Sequence, residues 1–169
     1  MTRSRKGARD SMYYYKWLDK ALCDLQAARI LLTWGGDPSN IAFHCQQSIE
    51  KALKGYLLFR TGRHYDGHNL TYLCRQAVLT DEQFTEWLDE SAALNNLYIE
   101  TRYPTDLPLE LDSTTVRSYL RMAEDMFAAI RKELYRADAR TGLKNEESLL
   151  LGEGFFVRNT VYSCAFNAA

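Results

Sequence analysis

Apolar side chains recur at three- and four-residue intervals along most of the chain, which is the spacing of one face of an α-helix. The first run starts near Met12 and is followed by Gly35 and Gly36, residues of the type that commonly ends a helix. We therefore predict a first helix from Met12 to these glycines. Its inner side holds Trp17, Leu18, Ala21, Leu22, Leu25, Ala28 and Leu32.

A second helix has a strong start signal. Asp37 offers a capping oxygen, and Pro38 stands in the first turn, where a helix needs no N–H donor. The helix is predicted to continue to about Arg60 and to stop at Gly62. Its apolar stripe consists of Ile41, Ala42, Cys45, Ile49, Ala52, Leu53, Tyr56 and Leu57.

Two shorter helices are predicted next. The third runs from His68 to Ala77. The fourth opens at Thr80, which is followed by acids that suit the positive end of the helix dipole. It ends near Thr101, because Pro104 disfavours helix at the residue before it. Their inner sides carry Leu70, Leu73 and Cys74 in the third helix, and Phe84, Trp87, Leu88, Leu94, Leu97 and Tyr98 in the fourth.

A fifth helix is predicted to begin at Asp112 or Ser113, with a stripe made of Val116, Leu120, Ala123, Phe127, Ile130 and Leu134. No part of this region alternates with period two, so we predict an all-α, antiparallel up-and-down bundle of four to five helices over residues 12–136. Residues 1–11 are interpreted as a basic flexible arm. Residues 137–169 are interpreted as an irregular C-terminal extension of unknown structure. Three alternatives stay open for it: a floppy extension, a short hairpin or a segment that docks on a partner.

Composition narrows the class of protein. The chain has 169 residues, of which 46% are hydrophobic and 25% charged, the balance of one globular domain. Its net charge of -1 gives no overall attraction for nucleic acid, so such binding needs a local patch. No apolar run approaches the ~18–20 residues of a membrane span, and the N-terminus lacks the apolar stretch of a signal peptide. We therefore expect a cytoplasmic protein that does not enter a membrane.

The cysteines argue against two kinds of site. Cys23, Cys45, Cys74 and Cys164 stand far apart, with no C-x-x-C pair that would indicate zinc binding or a redox motif. We expect free thiols, with Cys23 and Cys45 buried on apolar stripes.

A family resemblance lies in the second helix. Residues 42–57 read AFHCQQSIEKALKGYL, which is similar to the HEPN signature, an aromatic residue followed by Q-Q-x-x-E-K-A-L-K. Gly62 and then His68-x-Leu70-x-x-Leu73 resemble the glycine loop and H-x-L-x-x-L that follow in the family. Residues 98–104, YIETRYP, resemble the Y-x-x-x-R-Y-P ending of the family's fourth helix. The resemblance covers roughly residues 13–135.

The resemblance implies a four- to five-helix bundle that is usually a homodimer. It also implies a minimal nucleotidyltransferase as partner, often in a toxin–antitoxin-like system. Some members bind nucleotides and others are metal-independent RNases. In the RNase branch an Arg is followed, four to six residues on, by a His after the fourth helix. Arg102 stands in that place, but Leu107, Pro108 and Leu109 stand where the His belongs. Without an imidazole no side chain there is suited to take a proton from a ribose 2'-hydroxyl, so we expect a non-catalytic protein.

Two other functions stay open. One is an RNase that uses Arg102 with a displaced acid–base residue, His68 or Tyr103. Arg63 and His68 also match the Arg–His spacing, but they lie between the second and third helices, and we interpret His68 as the start of the third. The other function is a structural adaptor whose residues 137–169 dock on another protein.

No metal site and no cofactor are expected. His64 and His68 have a spacing that would share a metal on a helix, but Gly62 and Gly67 argue against a helix there.

The candidate ligand-binding residues are Lys51, Lys54, Arg63, His68, Arg102 and Tyr103. Arginine can grip a phosphate through two hydrogen bonds, lysine supplies a point charge and tyrosine offers a stacking face. Each role has a structural alternative. Lys54 is also placed to form an i, i+4 ion pair with Glu50, and Arg102 to pair with Glu100 or to bond the carbonyls at the helix end.

One side of the second helix is candidate interface. At about 100° per residue, Phe43, Gln47 and Leu58 fall opposite the core stripe, together with the two lysines. Two explanations fit this pattern: neighbouring helices cover this side too, or it is a dimer or partner surface with the lysines at its rim.

Overall fold

The structure is a computed structural model that describes residues 13–97 and 111–141, with side chains to residue 137. The described residues form five α-helices, a 3₁₀ helix and no strand. The α-helices are α1 (Tyr14–Thr33), α2 (Pro38–Thr61), α3 (Leu70–Val78), α4 (Leu88–Asn95) and α5 (Ser113–Thr141). They pack antiparallel, which confirms the predicted all-α bundle. No helix in this part of the chain is long and apolar enough to cross a bilayer.

The chain divides into two compact units, Met1–Leu134 and Tyr135–Ala169. The first unit contains α1 to α4 and α5 up to Leu134. The described residues of the second unit, 135–141, are helical. The basic arm predicted for residues 1–11 lies outside the described residues, as does the C-terminal extension beyond residue 141.

Both ends of α2 have the predicted caps. The Asp37 carboxylate accepts hydrogen bonds from the backbone N–H groups of Ser39 at 2.9 Å and Asn40 at 3.2 Å. At the other end Gly62 adopts the left-handed conformation, with φ of 67°, and its N–H donates to the Leu58 carbonyl at 2.8 Å. A residue with a Cβ is strained in that conformation, so glycine fixes where α2 ends.

The start of α3 differs from the prediction. Asn69, not His68, is the capping residue, because its side chain accepts a hydrogen bond from the Tyr72 N–H at 2.8 Å. The first helical residue is therefore Leu70, and His68 lies in the loop before the cap. This frees the His68 side chain for a different contact.

The predicted fourth helix, from Thr80 to Thr101, is divided. Residues Glu82–Trp87 form a 3₁₀ helix, which is followed by α4. With about three residues per turn, a 3₁₀ helix places residues i and i+3 on one face. Phe84 and Trp87 are related in this way, and both pack toward the core, Phe84 buried and Trp87 half-buried. Residues 98–101 of the predicted helix lie outside the described residues.

The core surrounds α2, which is buried on most of its circumference. Its buried residues are Ile41, Ala42, Cys45, Gln46, Ser48, Ile49, Glu50, Ala52, Leu53, Gly55, Tyr56, Leu57 and Leu58. A Cβ added at Gly55 would lie 2.9 Å from the Trp17 Cβ and 3.1 Å from the Tyr14 carbonyl oxygen of α1. The absence of a side chain at Gly55 therefore permits the close approach of α1 and α2.

The cysteines differ in their exposure to solvent, and one tryptophan is highly exposed. Cys45 and Cys74 are buried, but Cys23 is only half-buried, so the prediction of a buried thiol at that position is wrong. Cys164 lies outside the described residues. At the turn between α1 and α2, Trp34 is 84% exposed.

Candidate functional site

Four polar residues of α2 form one hydrogen-bonded group around a buried carboxylate. The Glu50 side chain is 5% exposed, and Lys54 donates from Nζ to its Oε1 at 2.9 Å. Gln46 and Gln47 donate from Nε2 to Glu50 Oε2 at 3.1 Å and 3.3 Å. A further bond of 2.8 Å joins Gln47 Nε2 to Gln46 Oε1. These residues lie within three or four positions of Glu50, so the helix itself brings them together. The predicted Glu50–Lys54 ion pair is present.

His68 joins this group from the loop before α3. Its Nδ1 lies 3.0 Å from Glu50 Oε1 and 3.1 Å from Oε2, and its carbonyl accepts a hydrogen bond of 3.5 Å from Gln46 Nε2. The loop is thereby tied to α2. We call Gln46, Gln47, Glu50, Lys54 and His68 the Glu50 cluster. The His68 side chain is 51% exposed, so a buried carboxylate orients an imidazole that is open to solvent.

The protonation state of Glu50 determines what the imidazole offers. Burial raises the pKa of Glu50, but the hydrogen bonds from Lys54, Gln46 and His68 and the charge of Lys54 outweigh burial and lower it below its ordinary value. The carboxylate is therefore ionised at neutral pH and can only accept hydrogen bonds. Nδ1 of His68 must then carry the proton. Nε2 is an acceptor in the neutral ring and a donor in the protonated ring.

A second cluster lies between α1 and α2. Asp24 of α1 accepts hydrogen bonds from Lys51 Nζ and, at 3.0 Å, from Nδ1 of His44. The three side chains, which we call the Asp24 cluster, are between 13% and 30% exposed. Lys51 is therefore engaged with α1.

Lys54 is engaged as well. Its side chain is 10% exposed, and its Nζ lies 5.9 Å from the centre of the Trp17 ring in addition to its contact with Glu50. Both lysines that were predicted to contact a ligand thus have intramolecular partners. A phosphate that reached either lysine would share its ammonium group with a carboxylate.

The remaining ligand-binding candidates and the interface candidates differ in their exposure and contacts. Arg63 is exposed, and its guanidinium makes no hydrogen bond or ion pair within the described part of the chain. Arg102 and Tyr103 lie outside the described residues. Among the interface candidates, Phe43 and Gln47 are half-buried, and the Phe43 ring lies edge-on to His44 with centroids 5.7 Å apart.

Leu58 is not available as an interface residue. It is 1% exposed, so it belongs to the interior of the monomer. Of the two explanations for this side of the second helix, coverage by neighbouring helices therefore holds at Leu58, which does not lie on a partner surface.

Sequence reasoning missed two tyrosines that flank His68 in the sequence. The rings of Tyr65, in the loop, and Tyr72, in the first turn of α3, have centroids 6.5 Å apart and planes inclined by 52°. Tyr72 is 48% exposed. Its place outside the Leu70–Leu73–Cys74 stripe indicated an outward ring, but nothing in the spacing placed Tyr65 next to it. Among the described residues no group of three His, Cys, Asp or Glu side chains is arranged to hold a metal ion.

Comparison with known proteins places these helices in a family. The model of the HEPN domain matches residues 14–134. The chain belongs to the HEPN family. Its Glu50 cluster is thus built from the Q-Q-x-x-E-K-A-L-K segment and the His of H-x-L-x-x-L, which are the resemblances seen in the sequence.

Two solved structures share the HEPN fold. TT1696 from Thermus thermophilus is 25% identical, with a TM-score of 0.61 over 71% of this chain and 97% of that one. ST0689, an archaeal HEPN homologue, is 22% identical, with a TM-score of 0.58 over 71% of this chain and 96% of that one. No curated protein matches the sequence.

Proposed function

We propose that this HEPN protein binds a nucleotide without cleaving it, at the surface where His68 emerges from the Glu50 cluster. The observation that carries the proposal is the half-exposed imidazole whose Nδ1 is held by a carboxylate that is 5% exposed. A fixed imidazole presents one hydrogen-bonding edge in a constant direction, so a ligand need not restrict the ring again on binding.

The neighbourhood of His68 suits a nucleotide. Arg63 offers a guanidinium able to grip a phosphate through two hydrogen bonds, and the two tyrosines offer aromatic faces. Lys51 and Lys54 are paired with acids, so the candidate contacts reduce to Arg63 and His68 in this region. Arg102 and Tyr103 remain candidates on the strength of the family resemblance.

The proposal of a non-catalytic role rests on the sequence after Arg102. RNases of the family place their Arg and His in one segment, and here Leu107, Pro108 and Leu109 stand at the positions of the His. We further propose that the protein forms a homodimer and acts with a minimal nucleotidyltransferase in a toxin–antitoxin-like system, in which the partner supplies the nucleotide chemistry.

Thermal unfolding with ATP, GTP and cyclic nucleotides tests the proposal. A ligand that binds only the native state raises the melting temperature, by several degrees when it adds about 2.7 kcal/mol at a concentration of 100 Kd. We expect one of these nucleotides to do so, and His68→Ala to reduce the rise. His64→Ala is the matched control, because His64 is an exposed histidine of the same loop. Absence of any rise at millimolar nucleotide would refute the proposal.

One observation favours a second function, RNA cleavage. A carboxylate that holds Nδ1 and leaves Nε2 outward is also the arrangement of a general base. Generic RNA incubated with the purified protein tests it, beside the variants His68→Ala and Arg102→Ala. We expect no cleavage. Cleavage that both variants abolish would replace the binding function with the enzymatic one.

A further inference from the structure

We infer that the loop after α2 and the first turn of α3 form a purine nucleotide subsite, in which the base stacks on Tyr72 and the phosphates reach Arg63 and Arg75. This inference rests on the proposed nucleotide binding and specifies where the base and the phosphates lie. It concerns residues 62–75, which are hydrogen-bonded through His68 to Gln46 and Glu50 of α2.

The aromatic surface comes from two rings with different environments. Tyr65 is half-buried and packs against the core, whereas Tyr72 is 48% exposed. Their planes are inclined by 52° with centroids 6.5 Å apart, so neither ring covers the face of the other. About half of Tyr72 is exposed and can therefore contact a third ring, with Tyr65 as its neighbour. A purine covers more of such a face than a pyrimidine does.

The segment that carries Tyr72 is anchored at several points. The Tyr72 N–H donates to the Asn69 side chain at 2.8 Å, and the Leu70 N–H donates to the Asn95 side chain of α4, also at 2.8 Å. The His68 imidazole and carbonyl are bonded to Glu50 and Gln46 of α2. The segment is therefore held by α2 on one side and α4 on the other. Little conformational entropy is lost when a ligand binds to such a surface.

Two guanidinium groups are available for phosphate. Arg75 lies three residues after Tyr72, so both project from the same face of α3. Arg63 follows the Gly62 cap, and its N–H donates to the Thr61 hydroxyl at 3.2 Å, which fixes where its side chain starts. Both arginines are exposed, and neither guanidinium has a hydrogen bond or ion pair in the described part of the chain. The one exposed acid of the loop, Asp66, lowers the net positive charge that this surface presents to phosphate.

Calorimetric titration of the purified full chain with adenosine, AMP and ATP distinguishes the contacts to the base from the contacts to the phosphates. We expect Tyr72→Ala to weaken all three ligands by about tenfold or more, the effect of losing one stacked base. Tyr72→Phe keeps the aromatic face and should bind as the wild type does. Arg63→Ala combined with Arg75→Ala should weaken ATP most, AMP less and adenosine least, because only the phosphates meet the guanidinium groups.

Trp34→Ala is the control for loss of an exposed aromatic side chain. Trp34 lies at the turn before α2, whereas the subsite segment contacts α2 at Glu50, which is about 18 Å along the helix from Pro38. If ATP binds the wild type but Tyr72→Ala binds it equally well, the inference is wrong and the proposed nucleotide binding stands. If the wild type binds no purine ligand, both fail.

Discussion

The Asp24 cluster and the Glu50 cluster use the same three chemical groups for different purposes. In each, a carboxylate lies between a lysine amine and Nδ1 of a histidine. Asp24 binds two residues of α2 and so joins two helices side by side. Glu50 binds a lysine of its own helix and a histidine of a loop, and so attaches the loop to the bundle.

Depth distinguishes the two clusters further. The Glu50 side chain is 5% exposed and that of Asp24 is 13% exposed, and two glutamines complete the hydrogen bonds of Glu50. Removing one partner of a buried charge pair is costly, whereas removing one partner of a partly exposed pair costs less. The same three groups therefore join two helices where the carboxylate is partly exposed, and they orient an exposed imidazole where the carboxylate is buried.

Removal of the Glu50 charge should have the largest effect. Glu50→Gln leaves the Lys54 amine, on a side chain that is 10% exposed, without its counter-charge, and we expect the free energy of unfolding to fall by about 3–5 kcal/mol. Urea unfolding followed by circular dichroism measures this loss. Asp24→Asn is the matched change in the other cluster, and we expect it to cost less, about 1–3 kcal/mol.

The double variant Glu50→Gln/Lys54→Met separates the cost of an unpaired charge from that of a lost side chain. It should recover part of the stability, since neither charge remains. An equal or larger loss in Asp24→Asn than in Glu50→Gln would contradict the distinction between the clusters.

Protonation of Glu50 in acid should lower the free energy of unfolding by an amount between the other predicted effects. The pKa of Glu50 is below its ordinary value of 4.5 in the folded protein, so the unfolded chain takes up its proton first as pH falls. The stabilisation is present above pH 4.5 and is lost as the pH falls through the folded pKa. Urea unfolding between about pH 6 and pH 3 should therefore show a smaller decline in the double variant than in the wild type.

Asp112 does not affect this difference. Hydrogen bonds from Thr115 lower the pKa of its carboxyl, and both proteins retain this group. A decline of the same size in the two proteins would show that Glu50 contributes nothing to acid sensitivity.

Replacement of either histidine should have the smallest effect on stability. In His68→Ala the Glu50 carboxylate keeps its hydrogen bonds from Lys54 and the two glutamines, and the lost side chain is 51% exposed. We expect a change of about 1 kcal/mol or less, and a similar change for His44→Ala, measured at neutral pH by urea unfolding. The two variants should differ in nucleotide binding, which only His68→Ala weakens. Equal loss of binding in both would remove the functional distinction between the clusters.

Much of the fold follows from local sequence signals. Asp37, Pro38 and Gly62 act through their own backbone, so the bounds of α2 were predictable. The Glu50–Lys54 pair was predictable because both residues lie on one helix. The 3₁₀ helix was missed, since over six residues Phe84 and Trp87 suit a period of 3.0 as well as 3.6.

The positions of the site residues depend on contacts between different elements of the fold, which the helical spacing within one element does not predict. His68 reaches Glu50 across 18 positions of sequence, and its role required that Asn69, rather than His68, cap α3. The burial of Leu58 likewise depends on the neighbours of α2 and not on its own stripe. Spacing along one helix shows which residues share a side, but it does not show what covers that side.

Trp34 gives the molecule a built-in optical reporter. The chain contains three tryptophans, of which Trp34 is 84% exposed and Trp17 and Trp87 are half-buried. An indole in water emits at longer wavelength than a shielded one, so the red edge of the emission spectrum comes mainly from the turn between α1 and α2. Any macromolecule that covers this turn would shift the emission toward the blue. Trp17, which lies against Lys54, would report separately on changes in the Glu50 cluster.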